Sequence, residues 1–87
     1  MNIIKRSGME VVFNAIKIED AVRKANKSVQ ESDRLSNEQI STVVKNVTDL
    51  CKKMQHSPNV EEIQDLVEEE IMKQQSYKLA SNYITYR

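Results

Sequence analysis

The spacing of apolar residues changes at Asn14. Before it, Ile3-Ile4 and Val11-Val12-Phe13 form two short β-branched and aromatic runs on either side of Lys5-Arg6-Ser7-Gly8. Two such runs flanking a Ser-Gly turn signal predict a β-hairpin. Gly8, the one glycine of the chain, belongs where the turn needs a positive φ that a Cβ would resist. After Asn14 the period is helical. Ile18, Ala21, Val22, Ala25 and Val29 fall on one face of an amphipathic helix, with Asn14 as its N-cap. The polar stretch from Lys27 to Arg34 breaks that stripe and reads as a loop.

Leu35-Ser36-Asn37-Glu38-Gln39-Ile40 starts the next helix. Ser36 and Gln39 make a capping box, and Leu35 with Ile40 makes the hydrophobic staple across it. Ile40, Val43, Val44, Val47, Leu50, Cys51 and Met54 form its stripe, which His56-Ser57-Pro58 ends, because proline disfavours helical geometry in the residue before it. Asn59 and Glu62 repeat the start signal for a third helix, whose stripe is Ile63, Leu66, Val67 and Ile71. Glu61, Glu62 and Asp65 complement the positive end of that helix's dipole, and Glu68, Glu69 and Glu70 read as mostly solvated surface. A last helix, roughly Tyr77 to Tyr86, carries Leu79, Ala80, Tyr83 and Ile84. The fold class is therefore α+β and mainly helical: a small four-helix bundle capped by an N-terminal β-hairpin. The segment before Val60 is a candidate third strand of a small sheet.

At 87 residues the chain supports one domain with a modest core, which favours a ligand held at a seam over one in a deep cavity. Lysines and arginines balance aspartates and glutamates at 13 each, so the basic excess of a free nucleic-acid-binding domain is missing. No apolar run reaches the roughly 18–20 residues that span a bilayer, and no charged-then-apolar leader precedes a cleavage site. The expectation is a cytoplasmic protein with no nucleic-acid or membrane partner. One cysteine, Cys51, and one histidine, His56, cannot make a four-ligand zinc site, so no metal site from side chains is expected. Cys51 reads as a core or boundary residue.

No catalytic constellation is evident: there is no Gly-rich phosphate loop and no nucleophile signature. Glu61-Glu62 is better explained by helix-start electrostatics than by acid–base work. The densest chemistry is Lys5-Arg6 beside Gly8, together with Lys17 at the start of the first helix. A mobile point charge, a donor fork and a helix N-terminus suit a polyphosphate. The first 27 residues hold six basic and three acidic side chains, a local excess of +3. Taken by itself, a basic pair in an exposed turn is better explained as a solvated hairpin end, because such pairs are common.

A resemblance sharpens this. Ile3-Ile4-Lys5-Arg6-Ser7-Gly8, then Val11-Val12-Phe13-Asn14 and Lys17-Ile18, resemble the opening of ATP-cone domains. Val60-Glu61-Glu62-Ile63-Gln64-Asp65-Leu66-Val67 is similar to the family's third-helix motif, and Ala80, Tyr83-Ile84 and Tyr86-Arg87 to its close. The three blocks occur in order and span nearly the whole chain. The resemblance implies ATP or dATP, with Mg2+, bound between a small sheet and the helices. By position it implies Lys5, Arg6, Lys17 and Asn14 at the phosphates, and Ile3, Ile4, Ile18, Val60, Ile63 and Gln64 around adenine and sugar. Arg87 is a further phosphate candidate. Ile18 and Ile63 also sit in their helices' stripes, so core packing is an equal account of both.

Three positions depart from the family's pattern. Ser7 replaces the usual Asp, Gln74-Gln75 occupies a junction where many members have Gly, and Val11 is apolar where some members use an acidic residue near the nucleotide. The resemblance further implies a non-catalytic regulatory domain at the N-terminal end of a ribonucleotide reductase large subunit. ATP would activate and dATP inhibit, through an oligomer change involving the catalytic domain of the same chain and other subunits. Tyr86-Arg87 carries no Gly or Pro stop, which fits a helix continuing into that catalytic domain. Alternatives are the ATP-cone of an anaerobic reductase, that of a reductase-gene repressor (disfavoured by the lack of a Cys-x-x-Cys), or a small helical protein-interaction domain without nucleotide.

Overall fold

The computed structural model describes residues 1–74 and 76–86. In order they form β1 (Asn2–Ile4), β2 (Glu10–Val12), α1 (Ala15–Lys27), a 3₁₀ turn at Glu31–Asp33, α2 (Asn37–Lys53), α3 (Val60–Lys73) and α4 (Tyr77–Tyr86). This is the expected α+β, mainly helical plan. Gln75 and Arg87 lie outside the described residues, and with them the Gln74-Gln75 junction in part and the Arg87 phosphate candidate.

β1 and β2 pair antiparallel, with Asn2 opposite Val12, Ile3 opposite Val11 and Ile4 opposite Glu10. The Gly8 N–H donates to the Lys5 carbonyl at 2.8 Å, and the Lys5 N–H donates to the Met9 carbonyl at 2.9 Å. This tight turn sets Arg6 and Ser7 at its corner. Gly8 closes it at φ 87°, the left-handed region that glycine enters without steric cost.

The candidate third strand is reduced to one parallel bridge, Ile4 to Asn59, beside an Ile4 N–H bond to the Pro58 carbonyl at 2.9 Å. Pro58 has no N–H to extend a ladder. Asn59 is already committed as the cap of α3. The bridge nevertheless ties the hairpin to the start of that helix.

Local signals define the helices. Asn14 Oδ1 accepts from the Ile16 N–H at 3.0 Å and caps α1. The capping box of α2 is complete: Ser36 Oγ accepts from the Gln39 N–H at 3.1 Å, and Gln39 Oε1 accepts from the Ser36 N–H at 2.8 Å. That of α3 is complete as well, through Asn59 and Glu62 at 2.8 and 3.2 Å. Each cap satisfies helix N–H groups that would otherwise lack partners and is worth about 1 kcal/mol.

The helices pack as a ring, α1 against α2 and α4, and α3 against α2 and α4. Val22, Ala25, Ile40, Val43, Val47, Val67, Ile71 and Leu79 fill the centre and are almost wholly buried. Each large aliphatic side chain among them stabilises the fold by roughly 1.5–3 kcal/mol relative to exposure. Ile3 and Phe13 pack against this core and seat the hairpin on it. Val29, predicted as the last member of the α1 stripe, lies past the helix end yet remains buried. α1 stops because Ser28 caps it, its N–H donating to the Ala25 carbonyl at 3.0 Å.

Among the three glutamates read as mostly solvated surface, Glu70 is the exception at 3% exposed. Its carboxylate accepts from Asn46 Nδ2 at 2.9 Å and from Lys73 Nζ at 2.8 Å. Burial by itself would raise its pKa; the bonds from Lys73 and Asn46 and the Lys73 charge outweigh that and hold it below the ordinary carboxylate value.

Candidate functional site

The hairpin, α1 and α3 enclose a cleft of about 290 Å³, at the small end of the range for ligand sites. The strand period of two turns Ile3 and its cross-strand partner Val11 toward it. The chain then passes through Val12, Phe13 and Asn14 along the rim. α1 adds Lys17, Ile18 and Ala21, α3 adds Val60, Ile63 and Gln64, and α4 adds Tyr83. Most of this wall is aliphatic or aromatic, while Asn14, Lys17 and Gln64 supply polar atoms.

Lys17 follows directly from the helix start. Its N–H donates to the Asn14 carbonyl at 3.2 Å, so its side chain leaves the first turn of α1 beside the helix N-terminus, where the positive end of the dipole favours an anion. Among the described residues neither Lys5 nor Lys17 has an ion-pair partner. Ile18 and Ile63 are buried members of the core that also line the cleft. Core packing and ligand contact are thus two faces of the same side chains.

Lys5 and Arg6 do not line the main cleft. With Ser7, Val60 and Gln64 they border an adjoining recess, and because Val60 and Gln64 line both, the two spaces are neighbours. Arg6 Nε donates to Glu61 Oε1 at 2.8 Å, and its Nη2 reaches Gln64 Oε1 at 3.5 Å. Gln64 is only 9% exposed, so its carboxamide has a fixed place between cleft and recess. Ile4 stands apart from Ile3. It borders a separate recess with Lys5, Arg6, Asn59, Val60 and Glu61, because adjacent strand residues face opposite ways. Of the residues predicted for the slot, Ile4 is the one the main cleft leaves out.

Val12, Phe13, Ala21 and Tyr83 line the cleft without having been expected in the site. Ala21 and Tyr83 read only as stripe residues; their place in the cleft depends on how α1 and α4 pack, which no local pattern encodes.

The other reactive groups have structural occupations. Cys51 is 2% exposed, and burial, followed by the nearby Glu62 carboxylate, pushes its thiol pKa up and away from thiolate. His56 Nε2 lies 3.0 Å from Glu62 Oε2, and this contact, followed by the Asn59 N–H, holds the Glu62 carboxyl below its ordinary value. Among the described residues no cluster of three or more metal-ligating side chains occurs, and no helix is long and apolar enough to cross a membrane.

A ring of four helices, with a hairpin-walled apolar cleft that Lys17 borders and an adjoining recess bordered by Lys5 and Arg6, has the form of a small ligand-binding module. The chain belongs to the ATP-cone family: the family model described as the ATP cone domain matches residues 1–87. Domains of this family are regulatory and bind ATP or dATP as allosteric effectors. The chain is also similar to the ribonucleoside-diphosphate reductase subunit alpha of Chlamydia trachomatis serovar D, with 30% identity over 95 residues covering 100% of the chain. The corresponding subunits of Chlamydia muridarum and Chlamydia pneumoniae are 30% and 33% identical over 95 and 93 residues. The chain spans 9% of the length of each of these relatives.

Proposed function

We propose that this chain is the overall-activity regulatory domain of a ribonucleotide reductase large subunit, and that it holds ATP or dATP in the cleft between hairpin, α1 and α3. Adenine lies among Ile3, Ile18, Val60 and Ile63, with the Gln64 carboxamide at its edge. The sugar lies near Val11 and Asn14, and the phosphates run out to Lys17, Lys5 and Arg6. Mg2+ arrives with the phosphates, which supply its oxygen ligands. The observation that carries this reading is one convergence: aliphatic groups from three separate elements line a single cleft with Asn14 and Lys17, and a neighbouring recess holds Lys5 and Arg6.

ATP permits activity and dATP suppresses it through a change of assembly. That requires the two nucleotides to favour different surfaces, with a coupling of roughly 1–3 kcal/mol arising from the 2′-hydroxyl. The partners are the catalytic part of a longer cytoplasmic chain and its other subunits. The small share of the reductase relatives that this chain spans supports its being one part of such a protein. That these relatives are alpha subunits of ribonucleoside-diphosphate reductases favours this reading over an anaerobic reductase or a repressor.

Titration of the chain with ATP, dATP and GTP, by calorimetry and thermal melting, tests the proposal. Adenine nucleotides should bind at micromolar to sub-millimolar concentration, with GTP weaker. At a hundredfold excess over Kd the melting temperature should rise by roughly 10–20 °C. Replacing Lys5 and Arg6 together with alanine should weaken ATP by at least about tenfold. Unchanged affinity would refute the phosphate assignment, and no stabilisation by any adenine nucleotide would leave the helical-adaptor alternative standing.

A further inference from the structure

Arg6 is already bonded to an anion of its own chain. The edge of its guanidinium formed by Nε and Nη2 points at Glu61 and Gln64, at 2.8 and 3.5 Å. That edge is a parallel donor fork, well matched to two oxygens of one phosphate. Resting on the proposed nucleotide site, we infer that Glu61 is an internal competitor for the phosphates, which must displace its carboxylate from Arg6, so that Glu61 sets nucleotide affinity below what the cations alone would give.

Three observations support displacement over a permanent scaffold. The Arg6 and Glu61 side chains are 64% and 56% exposed, so the pair is solvated and cheap to break. Arg6 sits at the corner of a turn whose backbone is fixed by the Lys5–Gly8 and Lys5–Met9 bonds; its side chain can swing without moving the hairpin. Glu61 stands in the first turn of α3, where the dipole favours a carboxylate, and it stays well placed after losing Arg6. The exchange is an anion for an anion at one guanidinium, and it frees the Gln64 carboxamide oxygen for the base edge in the same movement.

Two other roles for Glu61 predict different behaviour. A carboxylate that merely orients Arg6 would help phosphate binding. One that acts as a bare negative charge would oppose it whether or not Arg6 were present.

The test measures ATP and adenosine affinity by calorimetry for the wild-type chain, Glu61→Gln, Arg6→Gln and the double variant, with circular dichroism to verify folding. Glu61→Gln should tighten ATP by about two- to fivefold, as expected for removing an exposed ion pair, and leave adenosine unchanged. The gain should disappear when Arg6 is also glutamine. Equal or weaker ATP binding by Glu61→Gln overturns the inference, as does a gain that persists without Arg6. If wild-type chain binds no ATP at all, the site reading fails first and the inference falls with it.

Discussion

Ile63 faces two ways, and its truncation separates the two roles. It is 7% exposed within the core cluster and also lines the cleft. A buried Ile→Ala change costs roughly 2–5 kcal/mol, depending on the cavity left behind. At Ile63 part of the lost volume opens onto the cleft, where water can enter, so the cost should fall near the lower limit, about 2 kcal/mol. Ile40, 1% exposed in the same core and absent from the cleft lining, leaves a closed void, and about 3–4 kcal/mol is expected there. A domain of this size has roughly 4–13 kcal/mol of stability, so Ile63→Ala should remain folded with a melting temperature roughly 8–16 °C lower. It should also weaken ATP by roughly five- to tenfold, since the base loses the deleted carbons as a wall. Urea unfolding gives the first quantity and calorimetric titration of the folded protein the second. Ile40→Ala should leave ATP affinity within about twofold once the unfolded fraction is accounted for. If Ile63→Ala destabilises as much as Ile40→Ala while binding ATP as tightly as wild type, Ile63 is core alone and has no part in the site.

Two further outcomes follow from the fold. The Glu70 carboxyl is held below its ordinary pKa, so its contribution is fully present above the unfolded value of about 4.3 and is lost as pH falls through the lower folded value. In urea titrations the advantage of wild type over Glu70→Gln should be constant above about pH 5 and shrink in more acid solution; parallel acid limbs for the two proteins would exclude this role. Gly8→Ala should cost about 1 kcal/mol through backbone strain alone, because a Cβ at this φ of 87° meets nothing within 4 Å. Thermal melts that show no loss would mean the turn relaxes.

The helices were readable because their starts are written within four residues. Ser36 with Gln39, and Asn59 with Glu62, form their capping boxes without help from any distant residue. The α1 side of the cleft was equally local, since Asn14, Lys17 and Ile18 follow from one helix start. What could not be read depends on topology. The Arg6–Glu61 pair joins positions 55 apart, and the Ile4–Asn59 bridge that aligns them was legible only as a candidate strand before Val60, with no pairing partner indicated. Glu70 did not stand out from its acidic neighbours because Asn46, 24 positions away on α2, is needed to justify its burial. Tyr83 reaches the cleft only because α4 packs on α1. Periodicity names the faces of helices but not which face borders a ligand.

Backbone amide chemical-shift mapping of the chain during ATP titration locates the nucleotide residue by residue. With the nucleotide between hairpin, α1 and α3, saturable shifts should concentrate at Arg6, Lys17, Ile18, Ile63 and Gln64, with Asn46 and Glu70, between α2 and α3, nearly unmoved. Saturable shifts centred on Asn46 and Glu70, with the hairpin and the start of α1 silent, would contradict it.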